Sequence, residues 1–119
     1  MYPHLQIKDT PGKGRGVFAA RDIKRNEIVE AAPVILMPDG NVEWIEKTAL
    51  ADYYYLWGDT QIALALGYGS LYNHSTSANL AFYPDMENRT MIYRAKKKIR
   101  KDEELTIDYE CTLWFDPLE

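Results

Sequence analysis

The sequence has very little cysteine or histidine: Cys111 is the single cysteine, and there are two histidines in 119 residues. A lone thiol excludes an internal disulfide and the common cysteine-rich zinc sites, so no metal is expected, and a reducing intracellular compartment, cytoplasm or nucleus, is the expected home. No apolar run approaches the roughly 20 residues of a membrane span, and the N-terminal MYPHLQIKD lacks the basic-then-apolar layout of a signal peptide. The sequon matches at Asn73 and Asn88 therefore read as coincidence. Internal repeats and low-complexity linkers are also missing. A chain of this length is expected to form one domain, residues 1–119, with a core but no room for a second folded unit.

What is present is an apolar, ring-rich chain: 46% hydrophobic residues, with nine Tyr, three Trp and three Phe. The net charge of −4 argues against a dedicated nucleic-acid binder, for which a basic balance is expected. One block departs from that balance. RAKKKIRK, Arg94 to Lys101, holds six of the fourteen basic residues and is followed at once by Asp102-Glu103-Glu104. It reads either as a solvated strand end and turn or as a patch that meets phosphates or an acidic partner.

Along the chain, Leu5 to Lys8 alternates as a short strand and stops at the turn signal Asp9-Thr10-Pro11-Gly12. Gly12-Lys13-Gly14-Arg15-Gly16 then places glycine at every second position. Such a stretch is either a Gly-rich hairpin turn or a segment whose bare backbone can touch a ligand, and without a following amphipathic helix it is not a dinucleotide fingerprint. Val17 to Ala20, Ile28 to Ala31 and Val34 to Met37 read as strands, with Pro33 interrupting the last two. Val42, Ile45, Ala49, Tyr53 and Leu56 recur at i, i+3 or i+4, predicting one helix over Val42 to Asp52 with Asn41 as its N-cap. Tyr53 to Trp57 packs four aromatics into five residues, as core filler or as the wall of a cation-recognising pocket. Gln61 to Leu66 follows a turn, Asn79–Tyr83 and Thr90–Ala95 form a hairpin, and Glu103–Tyr109 is a last strand. Many short strands and one helix make a mainly β fold.

The stretch around which the rest is arranged is Gly67 to Asn79, GYGSLYNHSTSAN, too irregular for one helix or strand. Its glycines permit positive φ or close approach, and Asn73, His74 and Ser75 offer short polar groups to a ligand or to neighbouring backbone. An isolated NHS tripeptide is equally at home in a core loop. Three pieces in order change that reading: GKGRGVFA near the start, NHSTSAN in the second half and EELTIDYE near the end. In that order and at those distances the chain resembles the SET-domain protein lysine methyltransferases, most of all the minimal free-standing viral and bacterial ones, from Leu5 to about Phe115.

The resemblance implies small curved β-sheets around a C-terminal pseudoknot with one short helix. It implies S-adenosyl-L-methionine as cofactor, held by Lys13, Gly14, Arg15 and Gly16, by the pair Asn73 and His74, by Tyr109, and by Trp114 over the adenine. It implies Tyr109 as the active-site tyrosine; as ring-bearing residues, Tyr53, Tyr54, Tyr68, Phe82 and Tyr109 are candidate walls of a substrate channel, and Tyr53 and Tyr68 join Tyr109 as candidate catalytic residues. Phe82 at a tyrosine-or-phenylalanine position leaves room for multiple methylation. The small viral relatives point to a homodimer in which a second copy completes the pocket. Two departures stand out: Ala78 occupies a position that is often proline, and the family's flanking cysteine-rich zinc segments are missing.

The chemistry suits these residues. Lysine with a pKa of ~10.4 is neutral in only about one molecule in 2,500 at pH 7, so a site must favour the neutral amine and hold nitrogen, methyl and sulfur in line. An apolar channel lined by rings disfavours the ammonium, and a Tyr109 hydroxyl with loop carbonyls from Ser70 to Tyr72 can surround the transferring methyl. An acidic surface steers a basic protein or peptide such as a histone tail, which can add as a strand to a sheet edge. The rival class is a binding module, either a SET-like domain without catalysis or a basic-patch reader of nucleic acid or peptide through Arg94 to Lys101.

Overall fold

The computed structural model describes residues 2–12 and 14–108. Leu5–Thr10 (β1) and Gly14–Ala19 (β2) form an antiparallel hairpin in which Thr10 faces Gly14. The glycine-rich stretch is thus a hairpin turn running into a strand, with Gly12 and Gly14 at φ of 78° and 73°. Beside β2 lies Glu104–Ile107 (β9), antiparallel to it, and beyond β9 the short Asn73–His74 (β6), parallel to β9. The four strands run β1-β2-β9-β6. A second sheet has the order β4-β5-β3-β8-β7, from Tyr54–Trp57 (β4), Gln61–Ala65 (β5), Ile28–Pro38 (β3), Thr90–Ala95 (β8) and Leu80–Asp85 (β7). The mainly β reading holds. The passage of the chain's end beneath an earlier loop concerns residues past 108, outside those described.

Two expectations need correction. Pro33 does not split the third segment, because β3 is one 11-residue strand. The proline sits where β3 changes partner: Ile28 to Pro33 pair with β8 and Val34 to Pro38 with β5. A residue without an N–H is tolerated at that exchange, where the ladder is interrupted anyway. The helix predicted over Val42 to Asp52 is also broken. Only Val42–Ile45 (α1) is α-helical, flanked by 3-10 turns at Asp39–Asn41 and Ala49–Asp52. Thr48 ends the first piece and starts the next: its backbone is extended, its hydroxyl donates to the Ile45 carbonyl at 2.8 Å, and it accepts from the Leu50 N–H at 3.1 Å. Asn41 does not cap either, since its amide donates to the Pro38 carbonyl at 3.2 Å.

The core joins both sheets through Val17, Ile23, Val29, Leu80, Met91, Ile99, Leu105 and Ile107, all buried. Each such aliphatic side chain contributes roughly 1.5–3 kcal/mol. Among the described residues no helix is long and apolar enough to cross a membrane.

Candidate active site

Three sequence pieces converge on β9. Asn73 pairs with Thr106 and His74 with Ile107, and the Ser75 N–H continues onto the Ile107 carbonyl at 2.9 Å. The Asn73 side-chain amide donates to Glu104 Oε2 at 2.7 Å and to the Arg15 carbonyl at 3.3 Å. A Cβ on Gly16 would stand 2.6 Å from that Glu104 oxygen and 2.8 Å from Asn73 Nδ2. Gly16 is therefore glycine because β2, β6 and β9 lock together there. Gly14 differs, since a side chain at its position would meet open space. His74 lies with Nδ1 3.8 Å from an Asp108 carboxylate oxygen.

Ala78 is buried, and the loop leading to it is braced by polar contacts where the resemblance expects a proline. The Ser77 N–H donates to Ser75 Oγ at 3.0 Å. The Asn79 amide donates to the Glu104 carbonyl at 2.8 Å while its oxygen accepts the Thr106 N–H at 2.9 Å. Asn79 is the clamp that fixes the NHSTSAN loop to β9.

The preceding loop is held from below by a residue that motif reading missed. Glu30 is 1% exposed, because a bulge between Ile28 and Glu30 turns both Val29 and Glu30 inward. Its carboxylate accepts the Tyr68 N–H at 2.8 Å and the Tyr72 hydroxyl at 2.7 Å. Burial pushes the Glu30 carboxyl above the usual range, with the two hydrogen bonds opposing, and burial next to Glu30 pushes the Tyr72 hydroxyl well up. The available signal was a lone acid in the apolar stretch Ile28 to Met37. Above it, the Gly69 carbonyl accepts from the hydroxyls of Tyr55 at 3.0 Å and Tyr93 at 3.1 Å, and those two hydroxyls are 2.9 Å apart.

Both loop glycines are required. Gly67 has φ of 64°, and a Cβ there would lie 2.5 Å from Glu30 Oε2; one on Gly69 would lie 2.6 Å from the Ala65 Cβ. Gly67→Ala combines left-handed strain with displacement of a buried carboxylate, and is expected to cost about 2 kcal/mol, lowering the melting midpoint by roughly 8 °C. Calorimetry showing an unchanged midpoint would mean that the loop is not anchored on Glu30.

Two cavities flank this loop. One, of about 400 Å³, is lined by Tyr53, Tyr54, Tyr55, Gly69 and Ser70 with Ala51 and Leu56. The other, of about 410 Å³, is lined by Arg15, Leu50, Tyr53, Leu64, Ala65, Leu66, Gly67, Ser70 and Leu71. Tyr53 and Ser70 belong to both. The expected channel residues are thus distributed: Tyr53 stands between the cavities, and Tyr54 faces one while its hydroxyl donates to Glu46 at 2.6 Å. Tyr68 is half-buried with its ring against Tyr2 and lines neither cavity. Phe82 is 3% exposed, packed in the core against Tyr55 and Tyr93, and also lines neither. Lys13, Tyr109 and Trp114 lie outside the described residues. Tyr55, read in the sequence only as part of a ring-rich run, is the tyrosine that joins a cavity wall to the loop.

Comparison with known proteins agrees with this arrangement. The model of the SET domain matches residues 14–110. A Schizosaccharomyces pombe histone-lysine N-methyltransferase specific for H3 lysine-37 is 37% identical over 113 residues, 94% of this chain and 77% of the relative. The Drosophila melanogaster histone-lysine N-methyltransferase Set8 is 33% identical over 88% of this chain, which spans 17% of that protein. Among solved structures, one from Plasmodium falciparum is 33% identical with a TM-score of 0.72, covering 90% of this chain and 97% of that one. CpSET8 from Cryptosporidium is 28% identical with a TM-score of 0.73, covering 93% of this chain and 59% of that one. The interlocked Arg15, Asn73 and Glu104 fall inside the matched span, and the chain belongs to the family of SET-domain lysine methyltransferases.

Proposed function

We propose that this chain transfers methyl groups from S-adenosylmethionine to lysine in a basic, histone-like tail. The observation that carries the reading is the pair of cavities with a common wall at Tyr53 and Ser70. One reaches Arg15 on the glycine-rich strand and the other is walled by tyrosines, so a donor and an amine can approach the same point from two sides.

The residues present fit the cofactor. A cavity of about 410 Å³ lined by Arg15 lies within the range of small-molecule sites, and next to Arg15 the absent Gly14 side chain leaves open space. Gly14, Arg15 and Gly16 with Asn73 and His74 would hold it, and Lys13, Tyr109 and Trp114 complete the set that the family resemblance assigns. Bound there, S-adenosylmethionine supplies a sulfonium methyl as electrophile.

The chain's own residues do the rest. Tyr53, Tyr54 and Tyr55 surround the incoming side chain with rings, which disfavours its ammonium form and leaves the neutral amine as the reacting species. Tyr53 and Ser70 fix the line between the two cavities, and the Glu30-anchored loop keeps that wall in place. No side chain has to act as a strong base, because solvent takes the lysine proton as the amine enters. β4 is an edge strand of its sheet, so an extended peptide can lie along it by strand addition, drawn by the acidic balance of the chain.

The test is mass spectrometry of histones after incubation with purified chain and isotopically labelled S-adenosylmethionine. Labelled methyl-lysine is expected; unlabelled histones together with no detectable cofactor binding would sink the proposal. Asn73→Ala removes the side-chain link from β6 to the Arg15 carbonyl and the Glu104 carboxylate and is expected to weaken cofactor binding about tenfold, measured by titration calorimetry. Unchanged affinity would place Asn73 outside the cofactor site.

A further inference from the structure

The block Arg94 to Lys101 does not stand alone in the fold. An antiparallel bridge, Ile23 N–H to the Ile99 carbonyl at 2.7 Å and Ile99 N–H to the Ile23 carbonyl at 2.9 Å, sets it against the turn at residues 24–26. The Asn26 N–H to Ala95 carbonyl bond at 2.9 Å closes the other end. Lys24 and Arg25 therefore face Lys96, Lys97 and Lys98, with Arg100 next to them, and all six side chains are exposed.

Neighbouring charges are already engaged. Arg21 pairs with Glu27, Lys8 with Asp102, and Arg94 is taken up by the Asn26 carbonyl and the Tyr83 hydroxyl. Asp22 accepts the Lys101 N–H and Glu103 the Arg100 N–H. Among the described residues, none of the six cations has a carboxylate within ion-pair distance. This concentration sits on a chain with eighteen acids and a net charge of −4, so the field is strongly polarised.

We propose that this two-turn patch binds the phosphate backbone of duplex DNA. Lysine ammonium groups are point charges suited to phosphate oxygens. Ile23 and Ile99 are fully buried, and the large apolar side chain exposed beside the patch is Ile28, opposite Arg94 at its edge, so among the described residues its centre offers cations and not the ring or aliphatic cluster that anchors a protein interface. Among the described residues the exposed rings are Trp44 and Tyr53, neither of them in the two segments that carry the six cations, so those segments supply charge without the stacking platform that single strands need. None of the six lines either cavity, which leaves the patch able to hold duplex while a basic tail occupies the site. The link to catalysis rests on the methyltransferase reading; the binding itself does not.

The experiment uses the whole chain and its Lys96→Glu/Lys97→Glu/Lys98→Glu variant in fluorescence anisotropy with random-sequence duplex, the matching single strand and poly-glutamate. Duplex affinity is expected to fall about a hundredfold between roughly 50 and 200 mM salt, as about four phosphate contacts require, and at least tenfold in the variant. A single strand or poly-glutamate bound as tightly as duplex overturns the proposal, as does variant binding equal to that of the original chain. In parallel, transfer to a free basic peptide should be unchanged in the variant while transfer to DNA-wrapped histones drops at least tenfold. If no substrate is methylated the enzymatic reading fails, and the anisotropy still decides this one.

Discussion

Glu30→Ala is expected to melt roughly 15 °C below the original chain and to lose most methyl transfer. The carboxylate serves two donors, the Tyr68 N–H and the Tyr72 hydroxyl, at 2.8 and 2.7 Å. Alanine leaves both buried without that partner, at about 1–3 kcal/mol each, for a total near 4 kcal/mol, and each kcal/mol shifts the midpoint by roughly 4 °C in a domain of this size. Because the donors belong to the loop that walls both cavities, the loss of activity should appear below the melting range, in kcat more than in KM. Glu30→Gln keeps one acceptor and should recover most of the stability.

The pH dependence separates these variants further. Burial raises the Glu30 carboxyl in the folded state, so the folded chain binds that proton more tightly than the unfolded one. Its contribution is therefore most favourable below the ordinary carboxyl range and declines as pH rises through the raised folded value, after which it is constant. Denaturant melts across that window should show this decline in the original chain and a flatter profile in Glu30→Gln. An equal slope in both would assign the dependence to other groups.

The second large effect is expected at Tyr109. Tyr109→Phe should lower methyl transfer about a hundredfold, the scale of losing one group aimed at a charge-bearing transition state, with cofactor affinity within about twofold. β9 ends at Ile107 beside His74, and the Asp108 carboxylate is 3.8 Å from the His74 ring, so the motif EELTIDY reaches its tyrosine directly after the strand that carries the site. Single-turnover assays with a titration of S-adenosylmethionine separate transfer from binding. A Phe variant with full transfer would remove Tyr109 from the chemistry.

Local pattern made the hairpin of Leu80–Asp85 and Thr90–Ala95 legible, because alternation there matches a real inward face: Met91, Tyr93 and Ala95 are buried. Family likeness made it legible that the three motif segments come together, but the contact of Asn73 with Glu104 was not, since nothing in spacing alone brings residue 73 to residue 104. The helix after Asn41 failed because i, i+3, i+4 spacing fits successive short turns as well as one helix, and the Thr48 hydroxyl decides between them. Glu30 was passed over because a bulge, invisible in the sequence, breaks the alternation that would have put it in water. Phe82 has the right chemistry for a channel wall, yet its strand register turns it toward Tyr93.

β9 is gripped from both flanks, antiparallel on one and parallel on the other, by segments that precede it in the chain by about ninety and about thirty residues. Neither flank can close until it arrives. On a ribosome the first hairpin therefore waits with an open edge until β9 has emerged, and such distant pairings are slow to find each other. A chain made only as far as β8 therefore has its hairpins but lacks the strand on which Asn73 reaches Glu104.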